Sequence, residues 1–331
     1  MISEAIQKKE DKKTQSVPLT LIDCKDETFR MSFCPDLGAL KTSMGKLGLI
    51  NPILLRGSLK CFQIVSGYRR VLAAQSLEWK EIRATLYASD ELSHNDGFRL
   101  NFYENLGSRR FNLIEASLVV AGFFEHCEKD EKQVREEVLP LLSFHSGKKI
   151  FRALQSLRHL SYAWKELVIK NDISLLNAAK ISSFSPSDQS AFYAALSGLK
   201  LGENKLRESL EMAEEVCKRD DISLSELFSS DHFKFLGQQE DLNLTERTEQ
   251  FRKTLKDIRY PEFTRLQEKF YEHKKKLSLP PQINLVPPDS FEGNTLKVMF
   301  EFHSPEELRA LVEKLDKTIE NESLRDIFEM L

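Results

Sequence analysis

The sequence predicts an α+β multidomain chain: a small α/β domain first, an all-α middle, and a small ββα unit last. Three observations carry this. Between residues 17 and 88, short alternating apolar stretches trade places with runs of helical period. From Phe98 to about Phe228 the helical period is almost unbroken. From Ile283 on, two strand-like stretches precede a helix with its own start signals. The segments read as a polar, disordered tail (1–16), the α/β domain (17–112), the helical domain (113–219), a linker (220–245) and a C-terminal helix plus ββα unit (246–331).

Residues 18–24 alternate and read as a first strand. Leu37, Leu40, Met44 and Leu47 recur at helical spacing, and Gly48 ends that helix as a left-handed cap. Residues 53–55 and 62–65 are two strands around a turn at Gly57 and Ser58. A helix follows over 71–77 and a short strand over 84–87. In the middle, 113–127 is one helix and 130–142 another, with Pro140 near its end. Residues 148–160 carry apolar Ile150, Phe151, Leu154, Leu157 and Leu160 beside basic Lys148, Lys149, Arg152 and Arg158. Shorter helices are expected at 164–169, 174–181, 187–199 and 204–217.

Residues 246–276 read as one charged helix that Pro261 breaks or kinks. Strands at 283–286 and 296–302 flank a turn at 291–294. Ser304, Pro305 and Glu307 then start a helix with a capping box and proline at its first position. Its apolar face is Leu308, Leu311, Val312, Leu315 and Ile319. Two strands and one helix bury too little to stand alone, so a second copy is expected: a homodimer.

The 331 residues carry a net charge of −3, so any nucleic-acid contact must come from local patches. The five cysteines form no C-x-x-C pair, which fits reduced thiols in a cytosolic protein. His126 and Cys127 are adjacent, but no second ligand pair accompanies them. No apolar run approaches the roughly 20 residues of a membrane helix, and residues 1–16 lack the apolar core of a signal peptide. The expectation is a cytoplasmic chain with no membrane contact.

Two short segments carry chemistry. Ser66-Gly67-Tyr68-Arg69-Arg70 follows a strand and leads into a helix. A glycine at such a turn leaves N–H groups pointing outward, and two arginines add charge, so the turn favours an anion, most often phosphate. Glu104-Asn105 supplies oxygen ligands suited to a hard cation such as Mg2+ beside it. Read alone, each is a helix terminus with solvated or capping residues. The ordered set adds weight: Gly48-Leu49-Ile50-Asn51-Pro52-Ile53-Leu54-Leu55-Arg56, then the Gly67 turn, then Glu104 to Glu115.

This order and spacing resemble the ParB family of partition proteins. Those carry a G-x-x-Q-P-I-x-V-R strand, a G-E-R-R turn and an E-N-x-x-R-x-D-L-N-P-x-E segment. The resemblance covers about 17–185 and 264–317. It implies an N-terminal domain binding CTP with Mg2+, a central helix-turn-helix domain reading DNA, and a C-terminal dimerisation domain. It implies a clamp that slides on DNA in chromosome or plasmid partition, cytoplasmic and associated with the nucleoid. Some members hydrolyse CTP. The tail of such proteins often recruits a ParA-type ATPase.

By the same resemblance, the nucleotide-binding residues are Asn51, Arg56, Gly67, Tyr68, Arg69, Arg70, Glu104 and Asn105. Glu104 and Asn105 also serve the metal, and Lys148, Lys149 and Arg152 face DNA. No catalytic residue is assigned. Three departures stand out: Tyr68 replaces the turn's glutamate, Asn51 the strand's glutamine, and Ser108 the arginine of E-N-x-x-R. Arg109 and Arg110 are next door and could substitute, but one residue on a helix turns a side chain by roughly 100°. In the helix-turn-helix region, Leu141 stands where the family has a small residue, beside Pro140; its bulk is expected to open the helix crossing. Two other readings stay open: a non-catalytic DNA-binding or adaptor protein that has lost CTP hydrolysis, and a kinase or nuclease on the same fold. Asp90 and Glu91 would then stand in for the missing carboxylate.

Overall fold

The structure is a computed structural model, and it describes residues 13–58, 61–233 and 243–331. It divides into two compact units, Met1–Leu196 and Ser197–Leu331.

The first unit opens with a five-stranded sheet in the order β1-β5-β3-β4-β2. Its strands are β1 (Thr14–Pro18), β2 (Ile22–Asp23), β3 (Ile53–Ser58), β4 (Cys61–Ser66) and β5 (Glu81–Tyr87). The single first strand expected at 18–24 is instead two strands on opposite edges, joined by a 3-10 turn at Leu19–Leu21. A flat sheet at about 4.8 Å per strand would set those edges about 19 Å apart. Four Cα steps reach at most about 14 Å, so the sheet curls until its edges approach. The strand start at Thr14 also shortens the tail expected over 1–16; residues 1–12 of that tail lie outside the described residues.

Helix α1 (Gly38–Leu47) and helix α2 (Tyr68–Ser76) pack on one another beside the sheet. Met44, Ile53, Leu55, Val71, Ala74, Ile82 and Ala84 share its core. Gly48 has the expected positive φ of 71°. Leu47, expected on the apolar face of α1, is 70% exposed instead.

Helices α3 (His94–Ser108) and α4 (Leu113–Cys127) pack closely. Gly122 makes this possible: a Cβ there would sit 2.0 Å from Phe98 Cζ. The helix expected at 130–142 is α5 (Glu131–Gln133) followed by a π turn at Val134–Val138 and turns through Ser143. Leu139 is buried and Leu141 is 41% exposed, so the bulk of Leu141 goes to solvent rather than into the helix crossing. Helices α6 (Lys148–Ser156), α7 (Tyr162–Ile169), α8 (Leu175–Ile181) and α9 (Pro186–Leu196) complete the unit.

In the second unit, α10 (Glu203–Asp220) packs along α12 (Leu244–Arg259), with α11 (Leu224–Ser229) between them in sequence. Lys205–Glu249, Glu208–Arg252 and Glu215–Arg259 pair at one constant offset, so the two helices run parallel and in register. Helix α11 lies within the stretch expected as a linker from 220. Part of that linker, 234–242, lies outside the described residues. Pro261 breaks the long helix as expected, with Tyr260 at φ −122° and ψ 64° before α13 (Pro261–Lys276).

Strands β6 (Ile283–Val286) and β7 (Lys297–Phe300) pair antiparallel, and α14 (Pro305–Asp316) follows. Ser304 caps α14 from its side chain, but Glu307 reaches back to the His303 N–H, one residue before the expected box partner. Helix α15 (Glu322–Met330), outside the expected ββα pattern, packs on α13. It buries Ile327 with Phe270, Leu277, Leu285 and Phe291.

Candidate nucleotide site

The β4–α2 turn builds the floor of a cleft of about 620 Å3. Gly67 has φ 101°, and its missing Cβ would lie 2.6 Å from Ile53 Cγ2. Only glycine fits both the backbone and the space. No side chain caps α2, so its first-turn N–H groups face the cleft without a side-chain acceptor. Beside them, Ser66 is 2% exposed, and its hydroxyl has no partner. Uncapped N–H groups and a buried unsatisfied hydroxyl are what an anion would satisfy.

Seven of the eight expected nucleotide residues line this cleft: Asn51, Gly67, Tyr68, Arg69, Arg70, Glu104 and Asn105. Their roles divide. Arg69 donates one N–H to the Asp36 carbonyl at 2.8 Å, while its Nε is buried and unpartnered. Arg70 donates to the carbonyls of Asn51 and Pro52, both at 2.9 Å, and to Glu104 Oε1 at 2.7 Å. Arg70 thus ties the 51–52 loop to α3. Glu104 Oε2 is buried without a partner, which suits a cation.

Asn105 is held on both ends of its amide. Its Nδ2 donates to Asn101, and its Oδ1 accepts from Arg109 Nε at 2.7 Å, leaving one lone pair for a metal. Among the described residues no cluster of three His, Cys, Asp or Glu could hold an ion alone.

Arg56 is placed elsewhere. It donates to the carbonyls of Leu92 and Ser89 and to Gln63 Oε1, and so braces the 88–93 connection rather than the cleft. Gln63 in turn donates to Asp26. Burial pushes the Asp26 carboxyl up, but hydrogen bonds from Gln63 and Thr28, with the nearby His94, hold it below its ordinary value. Asp90 and Glu91 do not line the cleft; Glu91 closes a turn on the Ala88 N–H.

The cleft also holds residues the sequence reading did not assign. Ser66 and the segment 29–32 line it, and Arg30 sits 5.0 Å over the Tyr68 ring. Arg109 bridges Glu115 at 2.6 Å, Asn105, Ser32 Oγ and the Met31 carbonyl. The helical-wheel objection to Arg109 does not apply, because α3 ends at Ser108 and Arg109 is extended at φ −157° and ψ 166°.

On α6, Lys148, Lys149 and Arg152 are exposed, while Phe151, Ala153 and Leu154 are buried against α4 and α8. The three basic residues therefore share a solvent face near the uncapped start of that helix.

Residues 3–106 match the family described as ParB N-terminal domain. That part of the chain is similar to the ParB N-terminal domain. A probable plasmid-partitioning protein ParB of Thermus thermophilus is 27% identical over 235 residues, covering 66% of this chain and 74% of its own length. Among solved structures, the C-terminally truncated chromosome-partitioning protein ParB of Caulobacter crescentus with CTP-gamma-S matches at TM-score 0.26 and 20% identity. That match covers 52% of this chain and 93% of the other. The same protein complexed to the centromeric parS site matches at TM-score 0.31 and 20% identity, over 61% and 99%. A Pnob8-like ParB-N domain matches at TM-score 0.35 and 14% identity, over 78% and 97%.

Proposed function

We propose that this chain is a DNA-binding partition protein that works as a CTP-regulated dimeric clamp. The observation that carries the nucleotide reading is the uncapped start of α2 opening into the cleft beside the buried, unpartnered Ser66 hydroxyl. The cleft's volume is in the range of small-ligand sites. Asn51, Gly67, Tyr68 and Arg69 would meet the nucleotide, with Arg70 and Asn105 holding the walls in place. Preference for cytosine is supported by the motif resemblance to ParB. The partition role is supported by the Thermus relative.

Glu104 Oε2 and the remaining lone pair of Asn105 fit Mg2+, whose other ligands would be phosphate oxygens and water. When bound, the ion would neutralise phosphate charge. The carboxylates lining the cleft are Asp26 and Glu104; the first is tied to Gln63 and the second to Arg70. With Tyr68 in place of a carboxylate, the reading is nucleotide binding without efficient hydrolysis. Regulation then works by population shift, with the nucleotide favouring one of two arrangements.

The domain division at 112/113, with the α/β part for nucleotide and the following helices for DNA, belongs to this proposal. Lys148, Lys149 and Arg152 would contact DNA phosphates or base edges. The C-terminal unit would pair two copies: Val298, Met299, Phe302, Val312 and Ile319 are between 40% and 59% exposed, apolar side chains that a partner copy would cover. Among the described residues no helix is long and apolar enough to cross a membrane. A cytoplasmic place on the nucleoid, and a ParA-type ATPase meeting residues 1–16, complete the proposal.

The deciding test is calorimetry of the full chain with CTP, ATP, GTP and UTP in magnesium. Selective CTP binding is expected. Binding of no nucleotide would overturn the clamp reading and leave a plain DNA-binding or adaptor protein.

A further inference from the structure

We infer, independently of the nucleotide reading, that α15 stands in for a second copy in the core of the C-terminal unit, so that this core folds within one chain and two copies can join and part without unfolding it.

Two strands and one helix bury too little to hold a core alone. The core that forms draws on other parts. Phe270 comes from α13 and Leu277 from just after it, Leu285 from β6, Phe291 from the 3-10 turn at Asp289–Phe291, and Ile327 from α15. Among the described residues, α14 contributes none of these five. Ile327 is fully buried, with Leu324, Met330 and Leu331 packed beside it. Leu324, Ile327 and Leu331 recur at i, i+3 and i+7, the spacing of one helix face. Asn321 caps the start of α15 by accepting the Ser323 N–H. A helix of nine residues is marginal on its own, so α15 draws its stability from lying on α13.

The cover stops between the two strands. Leu285 stands opposite Val298 in the antiparallel pair, so the two side chains share a face of the sheet. Leu285 is 4% exposed, whereas Val298 is 40% exposed. Lys297, Val298 and Met299 of β7 are all exposed. Helix α14 buries Leu311 and leaves Val312 open. The unit therefore has a closed half, α13 with β6 and α15, and an open half, β7 with α14. A second copy that meets the open half leaves the closed half as it is. Were the core shared between copies, their separation would strip it, and folding and association would be a single step that depends on concentration. With α15 in place, the core keeps its cover when the copies part.

The test is urea unfolding of the full chain at two concentrations about a hundredfold apart. Pulse-labelling hydrogen exchange on peptides from α13, β6 and α15 gives the midpoint of the core, and sedimentation velocity gives the mass. One midpoint at both concentrations is expected. A midpoint that rises with concentration overturns the inference, because the core is then shared. Ile327→Asp, and a chain ending at Glu320, each remove the stand-in. In both, the α13 and β6 peptides should lose protection at a midpoint lower by about 1 M urea or more. A parent-like midpoint in either overturns the inference. Met299→Glu perturbs the open half alone, so the same peptides should keep the parent midpoint; a lower one would mean that β7 belongs to the core, and would overturn it as well. A chain that is monomeric at both concentrations with a constant midpoint sinks the dimer reading and leaves this inference standing.

Discussion

Gly67→Ala is the most demanding single change this cleft offers. The residue has φ 101°, in the left-handed region, where an L side chain costs about 1–2 kcal/mol. The added Cβ would lie 2.6 Å from Ile53 Cγ2 and 2.9 Å from Ile53 Cβ, and 3.3 Å from Arg70 Nε. Ile53 is fully buried in the sheet core and has nowhere to go. Overpacking of this kind costs about 1–3 kcal/mol. The sum, about 2–5 kcal/mol, is a large share of an ordinary domain's stability. Urea unfolding should show the loss as a lower midpoint at constant slope. Nucleotide binding should weaken as well, since a shifted β4–α2 turn re-aims the first N–H groups of the helix. The clash can be isolated with Ile53→Ala: the double variant should be less destabilised than the two single losses summed, by about 1–2 kcal/mol. A G67A chain within about 0.5 kcal/mol of the unmodified one would refute the reasoning. So would strict additivity with I53A.

Four further outcomes follow from the same geometry. Arg109→Gln leaves the Glu115 carboxylate buried without its partner and should cost about 3 kcal/mol in urea unfolding. Asp26 is held below its ordinary value of 3.8, so the stability it contributes is fully present above that value. It is lost as pH falls through the lowered folded value. The melting temperature of Asp26→Asn should therefore fall less steeply over that acid range than that of the parent. Met299→Glu puts a charge in the exposed apolar surface of β7 and should shift light-scattering mass from dimer to monomer while far-UV circular dichroism stays unchanged. Replacing Lys148, Lys149 and Arg152 by alanine should weaken DNA binding and flatten its salt dependence by about one log–log unit for each phosphate no longer neutralised.

The sequence was most legible where one physical rule acted alone. Helix α4 follows from an unbroken apolar period after the Asn112 cap, and the β4–α2 turn from a glycine between an alternating stretch and a helical one. The break before α13 follows from Pro261. It was least legible where tertiary context decides. Residues 18–24 read as one strand because alternation is local, while the choice of two opposite sheet edges depends on partners far along the chain. Arg56 matched a motif position, yet the carbonyls of Ser89 and Leu92 claim it. Arg30 lies in an irregular stretch with no period, so nothing in its neighbourhood assigned it a face. Helix α10 carries an apolar stripe that fits any partner; only the paired charges on α12 select one.

The position of Arg109 shows how a one-residue offset can leave a network intact. On a continuing helix the step from residue 108 to 109 would swing the guanidinium by roughly 100°. Here α3 ends at Ser108, and the extended backbone at Arg109 turns the side chain back over the last turn. That gives Asn105 a fixed donor, pins Met31 and Ser32, and sets the start of α4 through Glu115, which also completes the Asn112 capping box. One wall of the cleft is therefore fixed from α3 through the segment 29–32 to α4 before any ligand arrives. Within that wall Arg30 is held by an exposed glutamate, one backbone carbonyl and an aromatic ring. The bonds from Arg109 to Met31 and Ser32 tie down the backbone just after Arg30, whose side chain lines the cleft.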